Sequence, residues 1–386
     1  MRKILKNKKF LFVIVCIFLL ILIMLLYYQK YIFTLCFLLI FFIIVSVCYK
    51  LLFNINFINT DKFLKFLKYK KNERLITNKE IYSKSFNIET FDGSNEFTHP
   101  SVLYFEKGFN GYKYWMAYTP YHNCNVSIEN PCIAVSNDGI NFIKPLNINN
   151  PLLPIVKNEK NAKKIEYYND PNLIYVNDKL ELWYRYTTET IDKKYQQKIY
   201  RIISDDGIVW SKPELMLEDK NNENNLVSIS ILYDNNEYKI FYFDLELKPT
   251  FISTKDFTNY TKPKRIIIKD YKGTYWHGEV KKINNIYVYL YTDNKYNLYI
   301  ALSKNGIKFN NPKRIDIICN SKDYFYFKNV LYKSSIVEDE EYYYLYVPFR
   351  FDKIRLFKTN NVIYHTWITT VTKIKKENFY KIEKDV

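Results

Sequence analysis

One pattern recurs through most of the chain and leaves few folds open to it. A short polar signature leads into an apolar strand, a gap follows, and then an aromatic strand. The five pairs are THPSVLYF with YKYWMAY, NDPNLIYV with LELWYRY, LVSISILY with YKIFYFD, YWHGEVKKI with IYVYLYTD, and LYKSSIVE with YYYLYVPF. The signatures fall near His99, Asp170, Ser228, His277 and Ser334, at spacings of 71, 58, 49 and 57 residues. Four modules then carry a turn: SNDGINF at Ser136, SDDGIVW at Ser204, STKDFTNY at Ser253 and SKNGIKF at Ser303. Asp-Gly and Asn-Gly favour hairpin turns because Gly accepts positive φ. Repeats of four short strands at this period predict a β-propeller, and five modules predict five blades. The composition agrees. With 38 Tyr, 28 Phe and only 8 Gly, the body reads as all-β.

The first eighty residues belong to another class of structure. Residues 2–9 are basic, residues 10–28 form an unbroken apolar run, and after Gln29 and Lys30 a second run covers residues 31–49. Each is about as long as a bilayer-spanning helix. The stretch is too long for a cleavable signal peptide, and no small-residue cleavage site follows. The pair predicts a transmembrane helical hairpin over residues 1–53, with a single long anchor as the alternative. Bases flank both outer ends and only Lys30 lies between them. Both ends, and the propeller, are therefore placed in the cytoplasm beside a bacterial inner or plasma membrane; if one segment alone spans, the domain lies outside. Residues 54–90 read as a basic juxtamembrane linker, and residues 91–386 as the propeller. The formal charge of +17 is concentrated near the membrane, since residues 1–80 hold fourteen Lys/Arg against three acids. That suits anionic lipid head groups. No basic helix or recognition motif supports a nucleic-acid partner.

Cys16, Cys36 and Cys48 lie in the apolar runs, and Cys124, Cys132 and Cys319 beyond them. No Cys-x-x-Cys or His/Cys ligand spacing exists, so no structural zinc site is expected. Cys124 and Cys132 read as free buried thiols, with a disulfide between them as the alternative for an exported domain.

In a propeller the innermost strand of each blade lines a central channel. Signatures at the same end of those strands converge on one rim. This brings together His99, Asp170, Ser228 or Ser230, His277 with Glu279, and Lys333 with Ser334. Arg185 ends a second strand and reaches the same place, and Glu129 and Asn130 cover one side from the first long loop. Tyr121, Trp115, Trp183 and Trp276 are available as stacking platforms. Carboxylates and amides suit sugar hydroxyls, and aromatic faces suit the C–H side of a pyranose, so the set points to carbohydrate. Bland readings stand beside these: Asp170 before Pro171 as a turn cap, His277 as a core histidine, Glu279 paired with Lys281 or Lys333. No phosphate loop, nucleotide fingerprint or Ser/His/Asp elbow is present.

The modules, the Ser-x-Asp-Gly-x-x-aromatic turns, Asn169-Asp170-Pro171 and Trp276-His277-Gly278-Glu279 resemble the five-bladed propeller superfamily of glycoside hydrolase family 43. The resemblance covers about residues 91–382. It implies three acids from three successive blades, and Asp170 matches the second by its place. The first blade has His99 where the family has Asp, and the third has Ser228 and Ser230 where it has Glu. Glu279 lies one blade later and, by alternation, points the same way as His277. The implied function is a glycosidase-like propeller acting on a cell-envelope or capsular carbohydrate, or a glycolipid, by carboxylate acid/base chemistry. Asp170, Glu279 and His99 would be catalytic. His277, Trp276, Arg185, Glu129, Asn130, Ser228, Lys333 and Ser334 would bind substrate. The alternative is a glycan-binding propeller, tethered to the membrane, without turnover. No cofactor and no rim metal are called for; a calcium ion in the central channel, as in some relatives, stays open.

Overall fold

Aromatic and β-branched residues at alternating positions give strands throughout the second of the two units into which the chain divides, Met1–Glu73 and Arg74–Val386. The computed structural model describes Phe18, Phe41 and residues 83–377, except residues 157, 159–162, 193–194, 220–223, 270–272, 311, 316–329 and 355–362. The expected membrane segments therefore lie outside the described residues, apart from Phe18 and Phe41. Both are helical, and their rings stack with centroids 3.4 Å apart. Among the described residues no helix is long and apolar enough to cross a membrane.

Strand β1 (Ser83–Ser85) comes first and is used last. The first sheet holds β2 (Phe97–Phe109), β3 (Tyr112–Pro120) and β4 (Cys132–Ser136). The second holds β5 (Lys164–Val176), β6 (Lys179–Thr190), β7 (Tyr195–Ser204) and β8 (Glu214–Asp219). The third holds β9 (Val227–Asp234), β10 (Glu237–Phe243), β11 (Pro249–Thr254) and β12 (Lys264–Arg265). Strand β13 (Ile267–Ile268) runs on to the fourth sheet, β14 (Tyr275–Ile283), β15 (Ile286–Asp293) and β16 (Leu298–Ser303), where β17 (Lys308–Phe309) pairs with it in parallel and β18 (Lys313–Ile315) completes the sheet. The last sheet combines β19 (Val330–Leu331), β20 (Ser335–Glu338), β21 (Tyr342–Ile354), β22 (Ile363–Lys375) and β1, which pairs antiparallel with β22. The linker expected over residues 54–90 thus overlaps structure: Ser83–Ser85 is a sheet strand, and Phe86 and Ile88 are buried. The uniform four-strand repeat also needs correction, because among the described residues the first sheet has three strands and the last five.

Apolar side chains fill the spaces between consecutive sheets, and the last sheet packs back on the first through Val337, Tyr344, Tyr346 and Val371 against Phe97, Val102 and Met116. The turns seal these cores. Ser136, Ser204 and Ser303 each accept the Gly N–H three residues on, at 3.1, 2.8 and 3.0 Å. In the third sheet the turn starts at Thr254, not Ser253, and Phe257 takes the Gly place at φ 59°. Gly207 has φ +75°, and a Cβ there would stand 2.2 Å from Trp115 of the first sheet. Gly207→Ala should lower the unfolding free energy by about 2–5 kcal/mol, combining left-handed strain with overpacking. Urea denaturation checks this, and a loss below about 1 kcal/mol would show that Trp115 moves freely.

The sheets are joined through their first strands by one repeated bond. Ser101 Oγ accepts Leu173 N (3.0 Å), Asn172 Oδ1 accepts Ile231 N (2.8 Å), and Ser230 Oγ accepts Val280 N (3.0 Å). Glu279 Oε2 accepts Ile336 N (3.1 Å), and Ser335 Oγ accepts Val102 N (3.2 Å), which returns to the first sheet. These positions are spaced 71, 58, 49 and 56 residues apart. Two residues before each stands one side chain of the rim: His99, Asp170, Ser228, His277 and Lys333.

Candidate active site

The rim layer is built by breaks in the strands. Pairing shifts register between Thr98 and Ser101, between Asn169 and Asn172, and between Tyr275 and His277. His99, Asp170 and Ser228 sit at φ 54°, 52° and 57°, a left-handed conformation that costs free energy outside glycine and collects at functional sites.

Asp170 is fully buried at the centre. Arg185 Nη2 lies 2.8 Å from its Oδ2, which also accepts Ser228 N at 3.0 Å. His99 Nε2 and Lys333 Nζ each approach Oδ1 at 3.7 Å. Burial opposes ionisation, yet the Arg185 guanidinium, with Lys333, holds Asp170 well below the usual carboxylate range. Lys333 donates across to Ile229 O at 2.7 Å, and burial lowers its pKa. His99 Nδ1 lies 2.9 Å from Thr119 Oγ1 and 3.2 Å from Thr98 Oγ1, which leaves Nε2 turned to Asp170. Glu129 Oε2 stands 3.5 Å from the same Nδ1, and burial, reinforced by Asp170, raises its carboxyl well above the usual value. Burial lowers His99 to about 3 and His277 well below its ordinary range, so both imidazoles are neutral.

One ligand atom from each of His99, Asp170 and His277 lies within 4.8 Å of the other two. Both His277 nitrogens and Asp170 Oδ1 are buried without a hydrogen-bond partner. Two neutral imidazoles and one ionised carboxylate with unused lone pairs are a donor set for a divalent metal ion. The sequence calls for no rim metal, whereas this geometry supplies the ligands for one. The signal was present in the sequence, as His, Asp and His at the same place in three modules.

Tyr332 packs its ring 4.1 Å from that of His277 and 5.0 Å from that of His99. Trp367 lies 4.8 Å from Tyr332, and Tyr121 stacks on Tyr332 at 6.1 Å. Tyr121, Tyr332, Trp367 and half-buried Trp276 are aromatic groups of this site among the described residues. Trp115 and Trp183, expected as platforms, are core residues at 0% exposure.

Glu279 is placed differently from the expectation. It belongs to the layer of Ser101, Asn172, Ser230 and Ser335, where its Oε1 accepts Ser335 Oγ (2.9 Å) and its Oε2 accepts Ile336 N. Lys281 Nζ lies 3.6 Å from Oε1 and donates to Val102 O (2.6 Å) and Ile336 O (2.8 Å). Both oxygens are occupied, so this carboxyl serves as a joint. Asn130 clips the loop over residues 150–154 by bonding Leu153 N and O; it holds Glu129 in position and does not face the cluster with its amide. Ser334 bonds Tyr332 O, and the fifth rim residue is Lys333. Cys124 and Cys132 are not joined in a disulfide; Cys132 is buried as expected, whereas Cys124 is only half-buried.

No family model matches the chain. A stretch of 133 residues is 32% identical to the A type blood N-acetyl-α-D-galactosamine deacetylase of Flavonifractor plautii. That match covers 33% of this chain and 16% of the length of the deacetylase. The crystal structure of an N-acetylgalactosamine deacetylase from F. plautii with blood group B trisaccharide superposes with a TM-score of 0.62 at 16% identity, over 78% of this chain and 97% of that one. This shows the fold, all-β and propeller-like. A β-xylosidase matches with a TM-score of 0.46 at 13% identity over 72% and 92%, and a glycoside hydrolase family 43 enzyme from Xanthomonas citri with 0.44 at 10% over 69% and 89%. These similar proteins are carbohydrate-active enzymes.

Proposed function

We propose that the protein is a carbohydrate-processing hydrolase that removes the acetyl group from an N-acetylated amino sugar at the His99–Asp170–His277 cluster. The observation that carries this is the convergence of three buried side chains, His99, Asp170 and His277, with one ligand atom of each within 4.8 Å of the others and both nitrogens of His277 unpartnered. The name of the partly matching relative supports the same reaction. A divalent metal held by His99, Asp170 and His277 would polarise the amide oxygen and lower the pKa of water. Thr119 and Thr98 orient His99 so that Nε2 faces the cluster. Arg185 and Lys333 keep Asp170 ionised. Tyr332 and Tyr121 offer faces to the sugar ring. The new C–O bond forms from water, the C–N bond breaks, acetate leaves, and the freed amine takes up a proton.

In this reading the five sheets are the five blades of a propeller, and Lys281, bonded to Val102 O and Ile336 O, ties the fourth blade to the first and the last. The N-terminal apolar runs tether the domain to a membrane as a helical hairpin, a reading that rests on their length and composition. Their flanking bases favour a cytoplasmic domain, and a cell-envelope glycan or glycolipid as substrate.

A second reading is glycoside hydrolysis, favoured by the placement of two carboxyls, Glu129 and Asp170, on either side of His99. Assay of N-acetylgalactosamine-terminated oligosaccharides for free acetate and for new reducing ends separates the two. Chelation by EDTA should lower acetate release at least about 100-fold, and readdition of zinc or manganese should restore it. Full activity after chelation, with no metal retained by elemental analysis, would sink the metal-assisted reading.

A further inference from the structure

Arg185 gives one edge of its guanidinium to Asp170, but its Nε has no partner, and three neighbours share that condition. Asn169 lies opposite Arg185 in the β5–β6 register, and Thr187 lies opposite Gln197 in the β6–β7 register. Asn169 Oδ1, Arg185 Nε, Thr187 Oγ1 and Gln197 Oε1 are all buried without a hydrogen-bond partner. The residues are 5, 8, 1 and 1% exposed. Directly opposed residues, and residues two apart on one strand, share a face of the sheet. The four groups therefore form one strip on the second sheet. It begins at the residue that touches Asp170 and runs outward to half-buried Glu189.

Buried polar groups are nearly always satisfied, and each orphan costs free energy in the unliganded protein. Four in register, starting at the cluster, need a common partner. The strip sets an acceptor at each end (the amide oxygens of Asn169 and Gln197) and, between them, the Arg185 Nε–H donor and the Thr187 hydroxyl, which can donate or accept. Its step from Arg185 to Thr187 is about 7 Å, comparable with the span of hydroxyls across a pyranose. Among the four groups the one formal charge, on Arg185, is matched by Asp170, and the Glu189 carboxyl at the outer end accepts the hydroxyls of Tyr167 and Tyr195.

We infer that this strip is a subsite for a second, neutral sugar joined to the one that reacts at His99–Asp170–His277. The inference rests on that cluster being the reacting centre. It makes the substrate an oligosaccharide or polymer, and gives the second sheet the selection of the neighbouring residue.

The test uses Thr187→Val and Gln197→Leu, singly and together, in the full chain. Replacing an orphaned polar group by an apolar one of similar shape relieves its cost, so each variant should gain about 2–4 °C in Tm without ligand. Wild type should bind blood group A trisaccharide about tenfold more tightly than N-acetylgalactosamine by calorimetry. The double variant should lose that preference and keep its affinity for the monosaccharide. Equal affinity of wild type for the two sugars, a preference that survives in the double variant, or a fall in Tm would each overturn the subsite. Acetate release, followed in parallel, reports on the reaction itself. Trisaccharide preference without acetate would overturn the deacetylation reading and leave the strip standing.

Discussion

Asp170→Asn is expected to reduce turnover by about 1000-fold or more, because the substitution removes the one anionic member of the cluster. The amide would keep the size of the side chain but not its charge. Arg185, at 2.8 Å, and Lys333, at 3.7 Å, would then be buried cations facing a neutral group. Leaving a buried charge unpaired costs about 3–5 kcal/mol. Lys333 softens that, since burial already lowers its pKa and it can lose its proton. The stability loss should therefore fall near about 3 kcal/mol. Three measurements check the prediction: acetate release, urea unfolding and metal content by elemental analysis. A folded Asp170→Asn protein that retains both metal and rate would remove Asp170 from the chemistry.

Lys281→Met should produce the opposite pattern. Lys281 Nζ reaches from the fourth sheet to Val102 O of the first and to Ser335 Oγ and Ile336 O of the last, beside the Glu279 carboxylate. Methionine would fill the volume but leave two carbonyls and a buried carboxyl without their cation. The expected loss is about 3–5 kcal/mol of unfolding free energy. The rate per folded molecule should stay at the wild-type level, because this layer lies one step below the rim. Glu279→Gln should behave similarly and more mildly, by about 1–2 kcal/mol, since an amide oxygen can still accept Ile336 N. Loss of turnover in either folded variant would return Glu279 to the reacting centre.

How far the sequence reached follows from what each residue depends on. The strands and turns were legible because they rest on local alternation and on Gly at positive φ. His99, Asp170, Ser228 and His277 were legible because each opens its module at the same place. Lys333 was named together with Ser334, and the entry point of its module was set at Ser334, one position late, because the fifth module begins with two short strands, β19 and β20, separated by an irregular stretch. Glu279 was misread for a subtler reason. It does share a side of the strand with His277, but two residues along a strand is also one layer deeper, and alternation fixes the side without fixing the depth. Tyr332 was one residue from a marked position. Thr119 and Trp367 left no signal: Thr119 reaches His99 through the β2–β3 register, in which it faces Thr98, and Trp367, on β22, meets Tyr332 only by ring packing between separate parts of the last sheet.

The pairing of β1 with β22 bears on how this protein is made. The earliest described strand of the domain finds its place only beside the last. At ordinary synthesis rates β1 waits tens of seconds for its partner, while each intervening sheet is completed behind it. The sheets are local and can form as they emerge, but the seam between the last and the first cannot. A ribosome that stalls before β22 therefore releases a chain with an unpaired strand at each side of the gap, exposed to aggregation and proteolysis. Quality control can thus reject truncated products whatever their content of finished sheets.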